Sequence, residues 1–205
     1  MLHASQFPSA SAYLQSLPAG LDSYPTCRVR ALVFEHIGKR YPELSRAAPQ
    51  GPLAALLGNA VDSSSWVPEV VGQVANLMAR DVYVESDEAY CDWTYEMSLV
   101  SFEKPLLRQL MRLMSPGLLV FGAAKRWSAV HTGTELSTSG VRNVGERSEV
   151  TGELRFPEGL FPDLFLIGLC PAFRAALSVA RGRDITVGLG RRTSTTAEYV
   201  VGWAS

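Results

Sequence analysis

SEVTGELRFP, residues 148–157, alternates apolar and polar side chains: Val150, Gly152, Leu154 and Phe156 interleave with Thr151, Glu153 and Arg155. A period of two puts one set on each face of a β-strand. Just upstream, TELSTSGVRN (134–143) reads as a second strand, joined to the first by a turn around Val144 to Arg147. Pro157 and Pro162 bracket the next turn. RDITVGLG (183–190) and TAEYVVGWAS (196–205) then read as a closing hairpin through RRTST. Strands grouped in hairpins imply an antiparallel sheet and the α+β class. The expected architecture is an N-terminal helical bundle packed on a C-terminal antiparallel four-stranded sheet, made of two hairpins with an intervening helix.

The intervening helix lies in FLIGLCPAFRAALSVARGRDITV (165–187). Leu164, Phe165, Ile167, Leu169, Phe173, Ala176, Leu177 and Val179 suit a helix packed on a sheet. Pro171 costs a helix interior about 3 kcal/mol, so a kink or a break is expected there. Gly182 is the expected C-terminal cap.

Ahead of residue 134 the chain reads as helical. TCRVRALVFEHIGKRYPEL (26–44) has helical spacing, with Thr26 as N-cap and Pro42 as terminator. SWVPEVVGQVANLMARDVYV (65–84) places Ser65 at the cap and Pro68 in the first turn, with Val70, Val71, Val74, Leu77 and Met78 on its apolar face. SDEAYCDWTYEMSLVSF (86–102) opens on a cap-like Ser86 followed by acids. Pro105 and Pro116 each start a further helix, the second running to Gly133. One domain, 1–205, is expected, with 1–133 mainly helical and 134–205 a β-hairpin–helix–β-hairpin part.

Composition narrows the function. Lys and Arg number 19 against 20 Asp and Glu, so general nucleic-acid binding has no electrostatic basis. The arginines of RGRDITVGLGRR (181–192) read as a solvated strand edge. Cys27, Cys91 and Cys170 are widely spaced and form no CxxC pair, which argues against a disulfide framework. The N-terminal stretch has no basic and apolar run of the secretory kind, and no apolar run reaches membrane-spanning length. A cytoplasmic protein without membrane or nucleic-acid partners is expected.

Candidate site residues come from two segments. In YCDWTYEMSLVSFEK (90–104), Trp93, Tyr95 and Met97 are candidates to line a ligand cavity. Asp92 and Glu96, four apart, are the candidate acid–base pair of an alternative enzymatic reading. In AAKRWSAVH (123–131), Trp127 and His131 are four apart and would share a helix face toward a ligand. His36 reads as a helix-surface residue near a C-terminus. Cys170 reads as a structural, apolar cysteine, although Arg174 four residues on would lower its pKa if it reached the sulfur. No catalytic residue is assigned. No GxSxG or phosphate loop occurs, and GLGRRTS (188–194) lacks the following helix of a dinucleotide fingerprint.

FLIGLCPAFRAALSVARGRDITVGLG with AEYVVGW resembles the C-terminal part of 4-vinyl-reductase-like domains, in which an FxxGxxxG/A helix precedes a closing hairpin. That fold is shared with haem–nitric-oxide-binding domains and trafficking-particle subunits. Over most of its length the chain also resembles a myxobacterial family of similar size. Tyr24, Pro25, Arg28, Phe34, Tyr41 and Pro42 match that family's start, and Tyr199, Val201 and Trp203 its end. The resemblance implies a cavity between helices and sheet, used for sensing or for docking a partner. Two departures matter. The closing hairpin lacks the metal-binding members' cysteines, and TGELRFPEGLF (151–161) lacks the Tyr-x-Ser-x-Arg pattern of the haem-binding members. His131 is the one candidate axial ligand in this half, and no cofactor, haem included, is expected. The expected function is a non-enzymatic small-molecule-binding or regulatory and sensory module with an apolar pocket. Its partners would be a small apolar molecule and a second copy or another protein. The alternatives are an enzyme with a lone acid or base and a dimeric adaptor.

Overall fold

In the computed structural model, which describes residues 2–102 and 105–204, the class is α+β with antiparallel sheets. The chain divides into two compact units. One is Met1–Tyr90 with Val130–Gly133 and Pro157–Pro162; the other is Cys91–Ala129 with Thr134–Phe156 and Asp163–Ser205. The division does not follow the boundary expected at residue 133. Short returning segments join the first unit because their groups are bonded there. The Tyr13 hydroxyl, for example, donates to the Leu160 carbonyl at 2.5 Å.

The first unit holds helices α1 (Pro8–Ser16), α2 (Glu35–Arg40), α3 (Leu44–Ala47), α4 (Pro52–Leu57) and α5 (Glu69–Tyr83). Its strands β1 (Arg28–Arg30), β2 (Trp66–Pro68) and β3 (His131–Thr132) form an antiparallel sheet in the order β2-β1-β3. This sheet corrects the helix expected from Thr26. Arg28, Val29 and Arg30 also fit a period of two, and the strand is stabilised by partners distant in sequence: Val29 pairs with Val67 on one side and His131 on the other. Val29, Val67 and His131 are buried, while Arg28, Arg30 and Trp66 face outward, with the Arg30 guanidinium 4.0 Å over the Trp66 ring. Helix resumes only at Glu35, after a single 3-10 turn at Ala31–Val33.

The helix expected over residues 65–84 starts later than predicted, because residues 66–68 are taken by β2. Pro68 itself is the N-cap of α5. The Glu69 N–H, a donor that the helix leaves unused, reaches the Cys27 carbonyl at 2.9 Å. Every residue from Glu69 to Ala79 is buried, the expected apolar face among them. Helix α1 lies along α5, and the Asp81 carboxylate accepts from the Ser9 and Ala10 N–H groups at 2.8 and 3.1 Å. This caps the start of α1 from another helix.

Helix α6 (Asp87–Ser101) carries the chain from the first unit into the second. The Ser86 hydroxyl accepts from the Ala89 N–H, the cap expected there. The second unit continues with α7 (Pro105–Leu113), α8 (Pro116–Phe121) and α9 (Ala123–Val130). The single helix expected from Pro116 to Gly133 therefore breaks at Gly122 and ends at Val130. Its last expected turn is used by β3.

Strands β4 (Glu135–Thr138), β5 (Arg142–Val144), β6 (Arg147–Arg155), β7 (Thr186–Arg192) and β8 (Thr196–Ala204) follow, with α10 (Asp163–Val179) before β7. The sheet order is β4-β6-β8-β7, and β5 also pairs with β6. β4 and β5 occupy successive stretches of one edge of β6, Thr138 opposite Gly152 and Arg142 opposite Glu149. The five-stranded sheet is thus the expected four-stranded one with its first strand interrupted at residues 139–141. β6 and β7 run parallel on either side of β8, so α10 makes a crossover between them.

The face carrying Ser148, Val150, Leu154, Ala197, Tyr199, Val201 and Trp203 is buried. Val150, Val201 and Trp203 pack with Leu177 and Ala180 at the end of α10 and with Met111, Leu119 and Val120. The Tyr199 hydroxyl donates to the Leu166 carbonyl at 3.0 Å. α10 stays one helix through Pro171. At its end the left-handed residue is Arg181, and Gly182 supplies the N–H that closes on the Leu177 carbonyl at 2.9 Å.

Gly72 offers a test of the first unit's packing. A Cβ built there would lie 2.2 Å from the ring of Phe34, which is 4% exposed. Helix propensity favours Gly72→Ala by about 1 kcal/mol, whereas overpacking a buried contact costs about 1–3 kcal/mol. Overpacking wins here. Chemical denaturation is expected to show Gly72→Ala destabilised by about 1–2 kcal/mol.

Candidate functional site

The first unit buries a polar cluster where β1, β3 and the start of α5 meet. Glu69, the first residue of α5, is fully buried. Its Oε2 lies 2.9 Å from His131 Nδ1, and its Oε1 accepts from Gln73 Nε2 at 3.0 Å. Gln73 sits one helical turn on and is also fully buried; His131 is 5% exposed. A carboxylate at Nδ1 favours the tautomer with its proton on that nitrogen. Gln73 Oε1 has no hydrogen-bond partner among the described residues.

Cys27 lies beside this pair. Its thiol donates weakly to the Gly133 carbonyl, with Sγ and O 3.5 Å apart. Burial raises the thiol pKa, a contact from Thr26 offsets part of that, and the Glu69 charge raises it further. Burial, followed by the Glu69 charge, also pushes the Tyr13 phenol far above its usual range. A thiol, an imidazole and a carboxylate together have the residue types of a nucleophilic triad. The Glu69–His131 contact matches the acid–imidazole half of such a triad, but the thiol donates to the Gly133 carbonyl, burial holds it in its neutral form, and all three residues are at most 5% exposed. Without thiolate the nucleophile is weak. Within the cluster Glu69 satisfies both His131 Nδ1 and Gln73 Nε2.

The five candidate ligand residues divide between the units. His131 belongs to the first, and Trp93, Tyr95, Met97 and Trp127 to the second. The face-sharing argument for Trp127 and His131 does not hold, because the helix ends at Val130 and His131 opens β3. Trp127 is buried, and its indole N–H donates to Thr134 Oγ1 at 3.0 Å. Trp93 and Met97, one turn apart on α6, are buried core residues. Tyr95 is half-buried, with its hydroxyl 3.4 Å from Ser178 Oγ. Arg174 stacks its guanidinium 4.7 Å over the Tyr95 ring. The Cys170 thiol is pushed up to about 11 by burial, with Cys91 adding to the effect. That direction runs against the low pKa of a reactive thiol. Asp92 and Glu96 are exposed on α6.

Sequence reading passed over Glu69 and Gln73, which sit four apart inside an otherwise apolar helix. That placement was the available signal, since a polar pair within a buried stretch needs partners. Among the described residues no group of three or more His, Cys, Asp or Glu is placed to hold a metal ion, and no helix is long and apolar enough to cross a membrane. No family model, curated protein or solved structure matched the chain.

His36 also departs from its expected role. It is partly buried on α2, and burial pushes its pKa down to about 4, opposed by Glu35 and reinforced by Lys39. The folded chain keeps this imidazole neutral, whereas the unfolded chain binds a proton below the ordinary 6.5. The resulting stability is complete above 6.5 and is lost as pH falls from 6.5 toward 4. Denaturation midpoints across that window are expected to fall in the wild type and to fall less in His36→Gln.

Proposed function

We propose that the protein is a non-enzymatic regulatory module that acts by docking a macromolecular partner. One observation carries this reading: Leu113 and Phe121, on α7 and α8, are 81% and 83% exposed, with Leu110 and Leu118 more than half exposed beside them in sequence. Single exposed apolar residues are ordinary on a protein surface. Large ones concentrated in one short segment mark a surface that is covered in use. The groups suited to chemistry support the same reading. Glu69 and His131 are buried and bonded to each other, the buried Cys27 thiol donates to the Gly133 carbonyl, and Asp92 and Glu96 are exposed and form no ion pair among the described residues. The three cysteines form no disulfide, which supports a reducing compartment such as the cytoplasm.

A second reading, a small bound molecule, has one observation in its favour. Gln73 Oε1 is a buried acceptor without a donor among the described residues, and an N–H or O–H of a small ligand would satisfy it.

Docking is tested by placing a photo-crosslinking benzoylphenylalanine at Phe121 in the full chain, expressed in its source cells. A control carries the same group at Thr186, which is exposed on the edge strand β7. Illumination is expected to give a discrete higher-mass adduct from position 121 and none of that mass from position 186. Absence of any adduct from position 121 would contradict the docking reading.

A further inference from the structure

The surface around α7 to α9 has a second property besides exposed apolar residues. From residue 105 to residue 134 the chain has Arg108, Arg112, Lys125 and Arg126 and no Asp or Glu. From residue 81 to residue 102 the reverse holds: acids recur from Asp81 to Glu96, and Lys and Arg are absent. A chain with a net charge of −1 thus concentrates opposite charges in two neighbouring blocks.

Each block has charged side chains exposed to solvent. On α6, Asp92, Glu96 and Val100 are spaced four apart and exposed, Val100 at 48%. They form one stripe along the helix. Like charges four apart on a helix repel each other, and neither acid forms an ion pair among the described residues. On the other surface, Arg112 and Lys125 are exposed and likewise without an acid among the described residues; Arg112 precedes Leu113 directly and Lys125 follows Phe121 by four positions.

We infer that the partner docked by this surface is a second copy of the chain, with the α6 acidic stripe of each copy set against the basic and apolar α7–α9 surface of the other. The inference rests on the docking reading above. Charge complementarity selects the arrangement. The basic surface repels its own equivalent, and so does the acidic stripe, so only the acid-to-base contact is attractive in sign. A two-fold axis makes that contact twice and leaves neither surface over, which closes the assembly at two copies instead of extending it. An apolar group is available on each side of that contact: Val100 within the acidic stripe, Leu113 and Phe121 in the basic segment.

The test is a charge exchange on the full chain, read by sedimentation velocity at low salt. One variant carries Asp92→Lys with Glu96→Lys, so that both of its surfaces are basic. The other carries Arg112→Glu with Lys125→Glu, so that both are acidic. All these positions are exposed, and circular dichroism checks that each variant folds. The wild type is expected to be a dimer that weakens with added salt. Each variant alone is expected to lose about 100-fold or more in self-affinity. Mixing the two variants is expected to restore a dimer containing one chain of each, since every contact then joins opposite charges. A wild type that stays monomeric at all concentrations, variants that remain dimeric alone, or a mixture that fails to associate would each overturn the self-pairing. The crosslink at position 121 separates the two claims. A heterologous adduct with a monomeric wild type removes self-pairing and keeps docking, whereas no adduct removes both.

Discussion

The Glu69–His131 contact is the constraint on which the first unit depends. An acid in an apolar interior is costly unless a donor stands beside it. Glu69 has two side-chain donors, His131 and Gln73, and each comes from a defined place in the fold. Meeting that requirement brings residue 131 next to residue 29, more than a hundred positions away in sequence, and so creates β3. It also fixes where α5 begins, because Glu69 is at once the last position beside β1 and the first of the helix. The three-stranded sheet, the late start of α5 and the early end of α9 are linked consequences of placing one carboxylate.

The second unit is organised differently. Its sheet depends on alternation along β6 and β8, which meet over nine residue pairs from Arg147 with Ala204 to Arg155 with Thr196. The buried face is continuous from Leu154 to Trp203, and the Tyr199 hydroxyl on it reaches the Leu166 carbonyl. No buried acid is found on that face among the described residues. Such a unit leaves its outer helices free to serve other purposes, and α6 to α8 are where charge and apolar surface are presented to solvent.

This difference explains what could be read in advance. β6, β7, β8 and α10 are specified by local pattern, so a period of two in SEVTGELRFP and a helical repeat after Asp163 were enough to identify them. β1 and β2 are three residues each, too short for a period to stand out, and Arg28–Arg30 sits inside a stretch whose spacing also suits a helix. What decides its conformation is pairing with residues 66–68 and 131–132, which no local window contains. The candidate site suffered from the same limit. Trp127 and His131 look like neighbours only if the helix continues, and the demand of Glu69 for a partner ends it. Glu69 and Gln73 sit among Val70, Val71 and Val74, whose helical period dominates the local pattern and hides the polar pair. Opposite charge in residues 81–102 and 105–134 was fully legible and needed only a tally of sign along the chain.

The central claim is that the titratable groups of the interior serve the fold, leaving interaction to the surface. A double-mutant cycle on Glu69→Gln and His131→Asn, read as unfolding free energy by chemical denaturation, tests it most directly. Each single change is expected to cost about 3 kcal/mol or more, since it leaves a buried polar group without its partner. The double variant is expected to lose less than the sum, with a coupling of at least about 1 kcal/mol. Single variants within about 0.5 kcal/mol of the wild type would contradict the account. They would show a pair kept for something other than stability.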